Sequence, residues 1–417
     1  MVVTTMYGYY TLRLRCMVAG LQYFLDMSNP CQTHNQHQST RLTRRGFLGA
    51  VGIAAASLAA AACQSALPGT VAPTMGSPAT VAPATGVPGT AAPALAQPVV
   101  AITPANSYDA ASIRKQVRAA LDAVGGLKGV VHSGDRVAIK INLTGGVNNR
   151  PLPGTTAIET YLTHPEVVRA LGDFVREAGA KELYIVEAVY EDASWAEYGY
   201  RDVAKALDAK LIDLNSTAPY TDFAQVPVGD GAYLYKSFNF NHILQDIDTF
   251  ISVPKLKCHN TAGVTLSMKN LFGTAPMRFY RASERDTYRS GFHGTGNDAG
   301  TRVPRIIVDL NRARPINFAL IDGIKTTEGG EGPWIKGMAA VDGGVLITGI
   351  NPLATDAVAT AVMGFDPTAP AMKEPFVRSD NHLALAAQMG LGTNKLADIK
   401  VVGPSISDVM KKFKPSY

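Results

Sequence analysis

The sequence predicts an α/β fold, a mainly parallel sheet with helices on both faces. Two observations predict it. Beyond residue 99, short Val/Ile/Leu-rich runs alternate with stretches whose apolar residues recur at helical spacing. The 417 residues are 46% hydrophobic, 18% charged and 8% aromatic, which suits a packed globular chain and argues against a disordered, collagen-like or coiled-coil one. A third observation qualifies the first: residues 226–240 alternate apolar and polar, like an antiparallel insertion.

In chain order, residues 99–102 read as a strand and 110–124 as a helix. A strand at 136–142, a helix at 165–178 and a strand at 182–189 follow. Further strands are expected at 211–214, 249–253, 317–321 and 345–348, and helices at 302–311, 352–363 and 382–389. The pattern leaves open two lobes meeting near residue 245.

The charge is unevenly placed. Of the net +5, a balance of +4 lies in residues 1–62, from Arg13, Arg15, Arg41, Arg44 and Arg45 against Asp26. The rest of the chain is nearly neutral, so no nucleic-acid partner is expected. Cysteines divide similarly: Cys16, Cys31 and Cys63 are early, and Cys258 stands alone in the body. Without a C-x-x-C pair, no cysteine-ligated iron–sulfur cluster or zinc ribbon is expected.

Thr43-Arg44-Arg45-Gly46-Phe47-Leu48-Gly49 resembles a twin-arginine export signal. The weakly apolar run from Phe47 to Ala62 is shorter than the roughly 20 residues that span a bilayer, so it reads as a signal core. Ala60-Ala61-Ala62-Cys63 resembles a lipoprotein-processing box, making Cys63 the expected lipid attachment site. Cleavage after an Ala-x-Ala site, with secretion, is the rival. Residues 1–26 fit neither signal nor domain, and a more ordinary leader starts at Met27, suggesting a start placed too far upstream. The division is then 1–26, a signal at 27–62, a lipid-attached Ala/Pro/Thr-rich tether at 63–98, and an α/β domain at 99–417. Thr70-Val71-Ala72-Pro73 recurs as Thr80-Val81-Ala82-Pro83 in the tether, whose composition cannot bury a core. Export machinery and membrane are the implied partners, and the outer face of the cytoplasmic membrane the implied location.

No G-x-G-x-x-G follows a strand, and neither a P-loop nor G-x-S-x-G occurs, so three common enzyme plans lack their signatures. The richest segment is Val253-Pro254-Lys255-Leu256-Lys257-Cys258-His259. If its strand continues, Lys255, Lys257 and His259 project to one face, with Leu256 and Cys258 opposite. Two ammonium groups beside an imidazole attract an anion and lower one another's pKa values. An edge strand protected by lysines is the plainer alternative. Lys269 and Asn270, expected on a helix with Leu266, Met268 and Leu271, can return a third ammonium to the same place.

This segment, with Thr265 and Lys269-Asn270-Leu271-Phe272-Gly273, resembles the core motif of the domain-of-unknown-function 362 family. The resemblance extends to Gly134–Asn142, Thr163-His164-Pro165-Glu166, Asp309-Leu310-Asn311, Asp322-Gly323, Glu328–Pro333 and Asn351–Ala357, covering roughly residues 130–367. The family name implies no activity. Some relatives carry cysteine-rich ferredoxin-like segments; this chain does not, so electron transfer through such clusters is not implied.

Lys140 and Asn142 share a strand face and suit a carboxylate or phosphate. Thr163 and Glu166 have capping-box spacing, which leaves His164 in the first helical turn near any ligand there. His293 lies in a Gly-rich loop, as a ligand contact or an ordinary solvated histidine. Asp322 ends an apolar strand, Glu328 and Glu331 sit among glycines, and Asp356 bonds within the fold or serves the site. Three functions compete. The first is an enzyme doing acid–base chemistry on a small anionic substrate, with Lys140, Asn142, Lys255, Lys257, Lys269 and Asn270 binding and His259, His293, Asp322 and Glu331 handling protons. The second is a solute-binding lipoprotein without catalysis. The third adds a metal through His259, His293, Asp322 and Glu331, although no H-x-x-x-H spacing supports it. Cofactor, substrate, reaction and oligomeric state stay open.

Overall fold

The sheet is built around five parallel strands whose apolar side chains divide between two layers. A computed structural model describes residues 97–294 and 296–417. The Arg44-Arg45 signal, Cys63 and nearly all of the tether lie outside them.

In chain order the strands are β1 (Val99–Pro104), β2 (Arg136–Ile141), β3 (Glu182–Glu187), β4 (Lys210–Asp213), β5 (Phe223–Pro227) and β6 (Ser237–Asn241). They continue with β7 (Thr249–Val253), β8 (Lys255–His259), β9 (Gly263–Thr265), β10 (Phe318–Glu328), β11 (Ala339–Gly349) and β12 (Lys400–Val402). The main sheet has the order β12-β1-β11-β10-β7-β2-β3-β4, with β8 attached to β10 and β9 to β8. From β10 to β4 all neighbours are parallel, while β11 is antiparallel to both β1 and β10. β5 and β6 form the separate antiparallel insertion. β7 sits between β2 and β10, so the sheet runs unbroken across residue 245 and the described body is one unit rather than two lobes.

Along β2, Val137, Ile139 and Ile141 face one apolar layer and Ala138 faces the other. The first layer is closed by α1 (Ala110–Ala123), α2 (Pro165–Glu177) and α3 (Tyr200–Leu207). The second is closed by α4 (Ala299–Ala313), α5 (Pro352–Val362) and α6 (His382–Gln388). Ile113 and Val117 of α1, Leu171 of α2, Ile306 of α4 and Leu383 of α6 are among the buried residues that fasten them. Each such side chain contributes roughly 1.5–3 kcal/mol by leaving water. Among the described residues no helix is long and apolar enough to cross a membrane.

Three local expectations change. Thr163 does not cap α2: its hydroxyl accepts from Asn142 N–H and donates to Val253 C=O, tying β2 to β7. His164 is the cap, accepting from Glu166 N–H through Nδ1, and Pro165 opens the helix where a missing N–H costs nothing. Lys269 begins a 3-10 turn, Lys269–Thr274, instead of an α-helix. β10 and β11 run to 11 residues each, because their pairing continues through polar, Gly-containing segments with no apolar pattern.

Candidate functional site

The chain leaves the sheet layer at Pro254. This residue has no N–H for a ladder, and beyond it β8 shifts register against β10: Asp322 opposes Lys255, but Thr327 opposes Lys257. β8 therefore diverges towards the carboxyl ends of β2 and β3, where open α/β sheets bind ligands. A cavity of about 470 Å³ lies there.

Its floor is a buried ion pair. Lys140 Nζ, at the end of β2, is 2.9 Å from Glu187 Oε2, at the end of β3. The same ammonium donates to Ile141 C=O (2.6 Å) and Asn270 Oδ1 (3.3 Å). Glu187 also accepts from the Leu143 and Ala188 N–H groups. Burial lowers the Lys140 pKa and raises that of Glu187, and each charge opposes the shift of its partner. Gly273 makes the close approach feasible, since a Cβ there would overlap Glu187 Oε1 and Lys140 Nζ.

Lys257, Lys269, His259, His293, Arg289 and Glu331 join Lys140 in lining the cavity. Lys257 Nζ donates to Tyr161 C=O (2.6 Å) and Glu331 C=O (3.0 Å). Burial lowers its pKa to about 7, with the Lys269 and Lys255 charges adding to the effect and Glu331 opposing it. Lys269 Nζ sits 3.8 Å from the Phe272 ring centroid. Its pKa also falls to about 7, through burial first, with the Glu331 charge opposing and the Arg289 and Lys140 charges adding to the fall. The turn carrying Lys269 is held by Asp356 of α5, which accepts from Ser267 N–H (2.8 Å) and Met268 N–H (2.9 Å). Burial pushes the Asp356 carboxyl up to about 7.

The two imidazoles are set in opposite tautomers. His259 Nδ1 accepts from Thr261 N–H at 3.1 Å, so in the neutral ring the proton is on Nε2. His293 Nδ1 faces Arg289 C=O at 3.3 Å, an oxygen that can only accept, so its proton is on Nδ1 and Nε2 keeps a lone pair. Burial, followed by the Lys269 charge, lowers both pKa values and keeps the rings neutral near pH 7. Glu331 is fixed by Asn260 N–H at 2.9 Å and Trp334 Nε1 at 3.4 Å. The Trp334 ring closes the rim edge-on to Tyr161, packed against Gly145 and Gly332.

The structure separates two expected members from the rest. Lys255 and Asp322 do not border the cavity; they form an enclosed pair with an Nζ–Oδ2 distance of 2.7 Å. Tyr108 Oη donates to Asp322 Oδ1 (2.8 Å) and His164 N–H to Oδ2 (3.0 Å), while Lys255 also donates to Ile158 C=O and Lys325 C=O. Lys255 and Lys257 do leave β8 on one side, but the register shift puts a saturated network around the first. His164 stacks on Tyr108 at 3.7 Å and is likewise occupied. Asn142, Asn270 and Thr265 remain at the cavity, and Glu328 instead accepts from Lys414 N–H. Among the described residues no three His, Cys, Asp or Glu side chains form a metal-binding group. Cys258 faces away, its thiol donating to Lys414 C=O and pushed up to about 12 by burial.

Sequence reasoning missed Glu187, Arg289, Tyr288 and Trp334. Glu187 had a signal, as a carboxylate ending an apolar parallel strand; the others lie in loops without periodicity.

Residues 137–361 match the family described as Domain of unknown function (DUF362). The chain belongs to this family. The matched DUF362 segment contains every cation of the cavity. A thylakoid-associated protein of Synechocystis sp. is 30% identical over 306 residues, spanning 72% of this chain and 81% of that protein. Among solved structures, the lactate racemase apoprotein of Thermoanaerobacterium thermosaccharolyticum superposes with a TM-score of 0.33 at 11% identity, over 59% of this chain and 54% of that one. A protein of Thermotoga maritima gives 0.32 at 13% identity, over 60% and 58%. The chain thus spans little more than half the length of either structure.

Proposed function

We propose that this DUF362 protein is an enzyme that performs acid–base chemistry on a small anionic substrate inside the cavity. The carrying observation is the convergence of Lys140, Lys257, Lys269 and Arg289 on one cavity with His259 and His293. Charged Lys140 and Arg289, with Lys257 and Lys269 near half-protonated at pH 7, face the carboxylates of Glu187 and Glu331, which leaves a small positive surplus for an anion. Thr265 adds support: its buried Oγ1 lines the cavity with no hydrogen-bond partner, as a ligand-binding hydroxyl would. The tautomers supply the proton chemistry. His293 Nε2 has the lone pair of a general base, and His259 Nε2–H is a neutral donor for oxygen that gains negative charge. The lowered pKa values of Lys257 and Lys269, caused first by burial, are in keeping with groups that exchange protons in an enzyme site.

The full chain, incubated in D₂O with a panel of small carboxylates and phosphate esters, should exchange a carbon-bound proton of at least one, followed by NMR. His293→Gln should slow that exchange about 10²-fold while leaving binding intact. Binding without exchange across the panel would favour the receptor; absence of anion binding by folded protein would reject both.

Export and anchoring through Cys63 complete the proposal. The motif order supports them, and membrane attachment is in keeping with the thylakoid association of the relative. Cys63→Ser should release the protein from the membrane fraction, and unchanged attachment and processing would sink the anchor.

A further inference from the structure

We infer that Lys269 is a nucleophilic amine that forms an imine with the carbonyl carbon of a small anionic aldehyde or ketone. The 2-oxo acids are the simplest class carrying both groups. This inference deepens the proposed acid–base reading and rests on it.

The argument starts from a contrast among the cavity cations. Lys140 donates to three oxygens, Lys257 to two carbonyls, and Arg289 to the Ala188 and Ala275 carbonyls. These heads are held as donors, so they present positive charge or give up a proton rather than offer a lone pair. Lys269 is largely enclosed as a residue, but its Nζ opens to the cavity, has no hydrogen-bond acceptor among the described residues and rests on the face of Phe272. An amine becomes a nucleophile only when its lone pair is free, and an enclosed ammonium held by no acceptor loses its proton more readily than one so held, although the Phe272 ring face favours its charged form. The neighbouring Arg289 and Lys140 charges also favour proton loss, and the Glu331 charge opposes them.

The step balances without an outside reagent. The Lys269 Nζ lone pair forms a bond to the carbonyl carbon, the C=O π pair moves to oxygen, and that oxygen takes a proton from the Lys257 ammonium. The attacking nitrogen loses a proton to His293 Nε2, giving a neutral carbinolamine. Its hydroxyl takes that proton back from the His293 imidazolium and leaves as water, the nitrogen lone pair closing the C=N bond and the His293 ring regaining its own lone pair. The substrate carboxylate lies among Lys257, Arg289 and the unpartnered Thr265 hydroxyl. The resulting iminium acidifies the adjacent C–H bond, which is the proton that the His293 lone pair then removes.

The test is reductive trapping on the full chain. Protein is incubated separately with pyruvate, 2-oxobutyrate and 2-oxoglutarate plus sodium cyanoborohydride, then mapped by peptide mass spectrometry. The expected result is a reduced adduct on Lys269 with at least one acid, dependent on reductant and at least tenfold above any other lysine. Lys269→Arg keeps a cation but should abolish the adduct. An adduct confined to Lys257, or spread evenly over surface lysines, would overturn the inference. Calorimetry on the untreated protein separates the two readings. Binding of these acids without a Lys269 adduct would reject the imine and leave the acid–base site standing, whereas folded protein that binds no small anion at all would reject both.

Discussion

Lys255 and Lys257 stand two residues apart on β8 and send their ammonium heads to carbonyls of the same turn, Ile158 and Tyr161. Their surroundings differ completely. Lys255 meets a buried carboxylate, a phenol and two carbonyls, and Asp322 is saturated in turn. Lys257 meets two carbonyls but no carboxylate oxygen, and the space beside it is open to a ligand. Residue type and strand face do not decide a lysine's role; unmet bonding capacity at its head does.

The largest test of this contrast is to break each lysine's environment. Asp322→Ala strands a buried ammonium and removes acceptors from Tyr108 and His164, so denaturant unfolding should show a loss of roughly 3–5 kcal/mol. Lys257→Met should cost only about 1 kcal/mol, yet abolish anion binding. Equal destabilisation by the two would erase the distinction.

A second test is binding against pH. Anions bind the protonated lysines, so as Lys257 and Lys269 deprotonate above about 7, affinity should fall up to about tenfold per pH unit for each lysine involved. Calorimetric titrations at several pH values would show it, and affinity flat from pH 6 to 9 would contradict it.

The effect on stability has the opposite sign. Both lysines have folded pKa values below the unfolded 10.5, so between about 7 and that value the unfolded chain holds more protons and stability rises with pH. Lys269→Met should remove part of that rise, as read from urea midpoints across the range. An unchanged slope would mean that Lys269 is not perturbed.

The smallest effect is expected at the rim. Gly145 has φ +88°, and a Cβ there would overlap the Trp334 ring. Gly145→Ala should cost about 1 kcal/mol and alter Trp334 fluorescence, with the Lys255 network untouched.

Much of this molecule was legible in the sequence. The β2, β3 and β7 strands and helices α2 and α5 announce themselves through apolar runs, and the PKLKCH segment marked the cavity wall. The separation of Lys255 from Lys257 was not legible, because strand alternation puts them on one face. Only the register shift against β10, which depends on a long-range pairing, assigns them to different environments. Tyr108 lies 214 residues from Asp322, and no local pattern joins them. The opposite tautomers of His259 and His293 were equally hidden, since each is set by a backbone group whose direction follows from the folded loop.

Cys258 carries a practical consequence. It is the one cysteine among the described residues, fully enclosed, with a thiol pushed up to about 12. Thiolate is the reactive form, so alkylating agents and mild oxidants have almost nothing to attack while β8 keeps its place. Modification of this sulfur becomes a clock for opening of the strand that bears Lys257 and His259, and its rate can be followed in unmutated protein without knowing any substrate.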